Sequence, residues 1–135
     1  MPDVLNDIAN IHSRRGDQDK AISLHEESLA IRRSLDDRSA IALSLFNIAV
    51  IHRQRGNIDK ALSLHNESLA IERELGDKAG IAASLGHIAN IHSSREDTAK
   101  ALAMHTESLA IKRELGDKSG IAVTLGHIAD IHYSN

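Results

Sequence analysis

The chain has 135 residues, a formal net charge of -3, 41% hydrophobic and 26% charged residues, values that suit one ordinary folded domain. Phe46 and Tyr133 are its only aromatic residues, so the stacking platforms of single-strand nucleic-acid binders are missing, and the negative balance argues against a general phosphate-backbone partner. Cysteine is absent, which excludes disulfides, iron–sulfur clusters and thiolate zinc sites. No cofactor is expected. Nor does any apolar run have the length of a membrane span or a signal peptide, so the expectation is a cytoplasmic protein with neither membrane nor nucleic acid as partner.

Sliding the sequence by forty residues lays 1–40, 81–120 and 121–135 on 41–80 without a gap. The units 41–80 and 81–120 agree at 25 of 40 positions, more than shared composition gives, so the chain is a repeat array. Such arrays need about three units to bury a continuous core, and this chain has three and part of a fourth.

In chain order, the first unit has a helix that breaks at Gly16 and Asp17 and a second that stops before Asp37. In the second unit Ile41, Leu45, Ile48 and His52 recur at helical spacing, which predicts a helix continuing to Gln54 before Gly56. Asn57 is placed to cap a helix reaching about Leu75, Gly76 to end it and Asp77 to cap the next. The third unit repeats this with Asp97, Gly116 and Asp117, but Glu96 stands where the other units have glycine, a cost of up to about 1 kcal/mol if that site needs positive φ. A seventh helix covers about 118–133. Each unit is therefore a helical hairpin. Within the second helix, Ala61, His65 and Ser68 form a small-to-medium stripe suited to the first helix of the same unit, while Leu64, Ile71 and Leu75 form another expected to meet the next unit.

The order Leu45, Ile48, Ala49 and His52, then Ala61 and His65, is similar to the tetratricopeptide repeat signature W-x2-L-G-x2-Y followed by A-x3-F, without its terminal proline. The chain resembles the forty-residue version of that repeat over its whole length. The resemblance implies an all-α fold, a right-handed α-solenoid of stacked antiparallel helical hairpins with seven helices, forming one domain over 1–135. HEAT repeats share the period, but the Ala-x3 spacing and the missing proline-centred break argue against them.

Both aromatic slots of the signature hold histidine: His12, His52, His92 and His132 in first helices, His25, His65 and His105 in second helices. The resemblance implies that these face one another inside each hairpin, and the burial tendency of histidine leads one to expect neutral, hydrogen-bonded core groups. Buried histidines lose stability as pH falls through about 6.5, so a pH effect is expected.

Positions that change between copies fall into one stripe on the first helices. By resemblance this stripe lines a concave groove that grips a peptide or helix of another protein. Its columns are Asn6, Phe46, Gly86 and Gly126; Asp7, Asn47, His87 and His127; and Asn10, Val50, Asn90 and Asp130, with Arg14, Arg53 and Gln54 at the end. The glycines leave room for a ligand backbone, and the amides can donate to it and accept from it. Asn10 and Asn90 follow the Ile-Ala pair where the family's Leu-Gly-Asn version carries its peptide-contacting asparagine. The lysine pairs of chaperone-tail-binding members are not at these positions, so no carboxylate clamp is expected.

An alternative is self-assembly, with Leu125, Ala129 and His132 of the seventh helix forming an apolar stripe for a second copy. A further alternative is a metal shared by His87 and His127 with a third ligand such as Asp130. An enzyme is not expected: His25-x-Glu27 and its copies match H-x-E but lack the P-C-x-x-C that must follow, and nucleotide-binding glycine motifs are absent. Ser28, Ser68 and Ser108 recur at the small-residue slot and are expected to pack.

Overall fold

Residues 4, 5, 7–9 and 17–134 are described in a computed structural model of the chain. Residues 4, 5 and 7–9 are helical and belong to α1. The rest forms α2 (Gln18–Ser34), α3 (Arg38–Gln54), α4 (Ile58–Leu75), α5 (Lys78–Ser94), α6 (Thr98–Leu115) and α7 (Lys118–Ser134). The fold is all-α and of the helical-solenoid class, with no strand among the described residues.

The predicted punctuation sets the helix boundaries. Asp17, Asp37, Asp77 and Asp97 accept hydrogen bonds from the backbone N–H groups of Lys20, Ala40, Gly80 and Lys100. Each aspartate thus satisfies one donor that the first helical turn leaves without a partner. Asn57 begins α4: its carbonyl accepts from the Ala61 N–H at 3.0 Å, and its side chain lies 3.3 Å from His52 Nδ1. At helix ends the N–H of Asp77 donates to the Glu72 carbonyl at 3.0 Å and that of Asp117 to the Lys112 carbonyl at 3.0 Å. These bonds, and the matching one from the Asn57 N–H to the His52 carbonyl at 2.8 Å, require a left-handed residue just before the capping aspartate or asparagine. Gly56, Gly76 and Gly116 supply it with φ of 85°, 69° and 69°. Glu96 does so as a non-glycine, at φ 62°, as its place in the repeat predicts. Asp36, at φ 53°, is a second departure that the sequence pattern does not single out. Aspartate visits this region more readily than most residues, which makes the slot easy to overlook.

The chain divides into two compact units, Met1–Ile71 and Glu72–Asn135. In the first, Ile41, Ala42 and Leu45 of α3 form a core with Ile71, closed by Leu29 and Leu64. Leu64 and Ile71 of the second stripe pack on the first helix of their own repeat, and Leu75, expected to meet the next unit, is exposed. Ala61, His65 and Ser68 are fully buried, and Ser68 Oγ donates to the Ala42 carbonyl at 2.9 Å, so the small stripe is where backbones approach. In the second unit α6 packs between α5 and α7. Ile81, Leu85, Ile88 and Ile91 of α5 are buried, and Ser108 Oγ repeats the small-stripe bond to the Ala82 carbonyl at 3.0 Å.

Candidate functional site

One slot of each second helix holds an acidic or basic side chain, Arg32, Glu72 or Lys112, that is hydrogen-bonded to a hydroxyl. Arg32 Nη1 donates to Ser44 Oγ at 2.7 Å and to the Ala40 carbonyl at 3.1 Å. Ser84 Oγ donates to Glu72 Oε1 at 2.6 Å, and Lys112 Nζ donates to Thr124 Oγ1 at 2.8 Å. Arg32, Glu72 and Lys112 stand forty residues apart, and each hydroxyl follows twelve residues later. A cation, an anion and a cation thus occupy one slot, and a hydroxyl serves all three because it both donates and accepts. The sequence carries the signal as a charge interrupting an apolar stripe at constant phase. Burial raises the Glu72 carboxyl above its usual value; the Ser84 hydrogen bond opposes this and the Asp77 charge adds to it.

The histidines separate into two groups. His25, His65 and His105 are buried to 0%, 0% and 1% exposure. The first-helix histidines do not face them as expected: His52 and His92 are only half-buried and His132 is exposed, while His12 lies outside the described residues. Phe46 meets His65 edge-on, with centroids 5.2 Å apart. The ring that meets His105 is His127 of α7, at 5.0 Å and tilted by 41°. Position 46 and position 127 both belong to the stripe that varies between copies, so the buried second-helix ring reaches toward the groove face rather than toward position 52. The expected hydrogen bonding is also incomplete: both ring nitrogens of His25 and Nε2 of His105 are buried with no hydrogen-bond partner among the described residues. Burial, then the His127 ring, then Lys112 lower His105 to about 4. His25 is lowered by burial and then Arg32, and His52 by burial, Lys60 and Arg55 against a small opposing effect of Glu26.

Several groove residues come together in the second unit. Asn90 of α5 and His127 and Asp130 of α7 line a pocket of about 550 Å³, with His105 of α6 on the same lining. Glu96, from the turn between α5 and α6, and Thr98, the first residue of α6, also line it. Sequence columns pick out three of these residues; Glu96 appears there only as a misfit in a glycine slot, and His105 only as core. His87 is half-buried and is not on this lining. A Cβ added to Gly86 or Gly126 would meet nothing within 4 Å, which leaves space beside the pocket's helices.

In the first unit Phe46, Asn47, Val50 and Arg53 are half-buried on α3, Asp7 is exposed on α1, and Gln54 accepts from Gln18 Nε2 at 3.3 Å. Asn6, Asn10 and Arg14 lie outside the described residues. Among the described residues no three His, Cys, Asp or Glu side chains are placed to hold a metal ion, so His87, His127 and Asp130 do not form the shared site considered above. On α7, Leu125 is 43% exposed, and Ala129 is exposed too. No described helix is long and apolar enough to cross a membrane.

Helical hairpins at a forty-residue period, joined through buried alanine and serine, define a helical-repeat protein. The chain belongs to the tetratricopeptide repeat family, whose model matches residues 1–74 and 38–114. No curated protein matches it. Among solved structures it is similar to BtubC (BKLC) from P. vanneervenii, with TM-score 0.74 and 19% identity over 98% of this chain and 63% of that one. It is similar to aspartyl phosphate phosphatase F from Bacillus subtilis, with TM-score 0.86 and 15% identity over 91% of this chain and 32% of that one. The TPR2AB domain of yeast Sti1, in complex with pHSP90, gives TM-score 0.81 and 20% identity over 99% of this chain and 47% of that one. At these identities the likenesses show the fold alone, and the chain spans less than two thirds of each of these three proteins.

Proposed function

We propose that the chain is a non-catalytic scaffold, acting as one domain, that holds a peptide or helix of a partner protein in a groove lined by the first helices of its repeats. The observation that carries this is the pocket that gathers Asn90, His127 and Asp130 from two first helices. Membership of the tetratricopeptide family supports a protein-binding role, and the Sti1 domain, solved with pHSP90, is a relative in fold that holds a partner. The half-buried Phe46, Val50 and Arg53 of α3 extend the same kind of surface in the first unit. The test is recovery of partners by pull-down from cells with the intact chain, then repetition with Asn47, Arg53 and Asn90 changed together to alanine. Loss of the recovered partners supports the groove; retention of all of them contradicts it.

A second reading, self-assembly through α7, draws support from the exposure of Val123, Leu125 and Tyr133. Light scattering across a concentration series decides it: a constant monomer mass ends this reading.

A further inference from the structure

We infer that the pocket between α5, α6 and α7 receives an arginine side chain of the bound partner, an inference that rests on the groove reading and names what one part of the groove takes.

His105 provides the first ground. It is 1% exposed and lines the pocket, yet its Nε2 is buried with no hydrogen-bond partner among the described residues. An unpaired polar atom in such a place is destabilising unless a ligand completes it. The ring is neutral at physiological pH, since burial and the His127 ring beside it hold its protonation down to about 4. With its proton on Nδ1, Nε2 is an acceptor, and a ligand that donates hydrogen bonds fits it.

Charge gives the second. Glu96 and Asp130 bring carboxylates to the lining, the Asp130 one already engaged in a contact of its own, and among the described residues no lysine or arginine lines the pocket. Asn90 and Thr98 add neutral acceptors to this wall. A guanidinium offers five donors in a rigid planar fork and stays charged at every relevant pH, whereas an ammonium is a compact point with three. Its flat face also suits the neighbouring imidazoles of His105 and His127, whose centroids are 5.0 Å apart.

The third ground is backbone strain. Glu96 occupies the left-handed slot at φ 62°, where the preceding repeat has Gly56 at φ 85°. Glycine would fill this slot without strain, so what the glutamate adds is its side chain, and that side chain lines the pocket.

The experiment titrates acetyl-Gly-Arg-Gly-amide into the intact protein while the ring signals of His105 and His127 are followed by NMR. The citrulline counterpart, neutral and of the same length, is the control. The expected result is a saturable shift of both rings by the arginine peptide, binding at least tenfold weaker for citrulline, and at least tenfold weaker arginine binding in Glu96→Gly, whose melting temperature is not lowered. No shift at His105, equal binding of the two peptides, or unchanged binding by Glu96→Gly overturns the inference. A random peptide library panned on the intact chain separates this failure from that of the scaffold reading. Selected peptides that lack arginine and ignore Glu96→Gly overturn the arginine assignment alone, and a library from which nothing binds overturns both.

Discussion

Ser84 Oγ donates a 2.6 Å hydrogen bond to the buried carboxylate of Glu72, and this pair is the anionic member of a series whose other members, Arg32 with Ser44 and Lys112 with Thr124, are cationic. Removing the donor leaves the carboxylate under-satisfied. Ser84→Ala is expected to cost about 1–3 kcal/mol at pH 7, measured by urea unfolding.

Glu72 also sets a pH dependence of known sign. Burial holds its folded pKa above the unfolded value, so its contribution to stability is fully present below the unfolded pKa and is lost as pH rises through the folded one. Glu72→Gln keeps an acceptor for Ser84 and removes the titration. Its melting temperature is expected to exceed that of the parent at pH 7 and to converge with it toward pH 4; a lower melting temperature at pH 7 contradicts this.

His105 acts in the opposite sense. Its folded pKa of about 4 lies below the unfolded 6.5, so its contribution is complete above pH 6.5 and is lost as pH falls toward 4. At pH 5 the loss from this one group is about 2 kcal/mol. His105→Leu is expected to remove that loss at pH 5, as measured by urea unfolding at several pH values between 6.5 and 4. An unchanged profile contradicts the burial of a neutral ring.

The two left-handed acidic residues should differ. Glu96→Gly is expected to stabilise by up to about 1 kcal/mol, because glutamate has no special tolerance of positive φ. Asp36→Gly should gain less, since aspartate enters this region more readily. Thermal melts of the two variants give the order directly.

Leu85 and Leu75 provide the packing test. Leu85 is 1% exposed and Leu75 46% exposed, so Leu85→Ala should cost about 2–5 kcal/mol and Leu75→Ala within about 0.5 kcal/mol. Equal losses would mean that Leu75 is buried against the next repeat, as its place in the sequence stripe suggests.

The fold was legible because each repeat states it again: glycine after the helix, aspartate at the next cap, and alanine and serine where Ala61 and Ser68 meet α3. Phase at forty residues made these signals unambiguous. The site was legible only in part. Columns of changing residues contain Asn90, His127 and Asp130, because positions that packing leaves partly or wholly open are the ones a stack does not constrain. The same logic assigned His105 and Glu96 to architecture, since one repeats and the other sits in a turn. Ring partners were missed for a related reason: helical periodicity places a side chain on a face but does not say how far it reaches, and His105 extends to His127 and His65 to Phe46. The charge series at Arg32, Glu72 and Lys112 was hidden because each residue alone looks like surface.

The groove reading is tested most directly by fluorescence anisotropy with a library-selected peptide on three forms of the intact chain: the parent, Asn90→Ala with Asp130→Ala, and Thr106→Ala. Asn90 and Asp130 line the pocket, whereas Thr106 is exposed on α6 and its hydroxyl is occupied by the Leu102 carbonyl at 2.7 Å. The account predicts at least tenfold weaker binding for the double variant and parental affinity for Thr106→Ala. Parental affinity in the double variant, with its melting temperature retained, would contradict it.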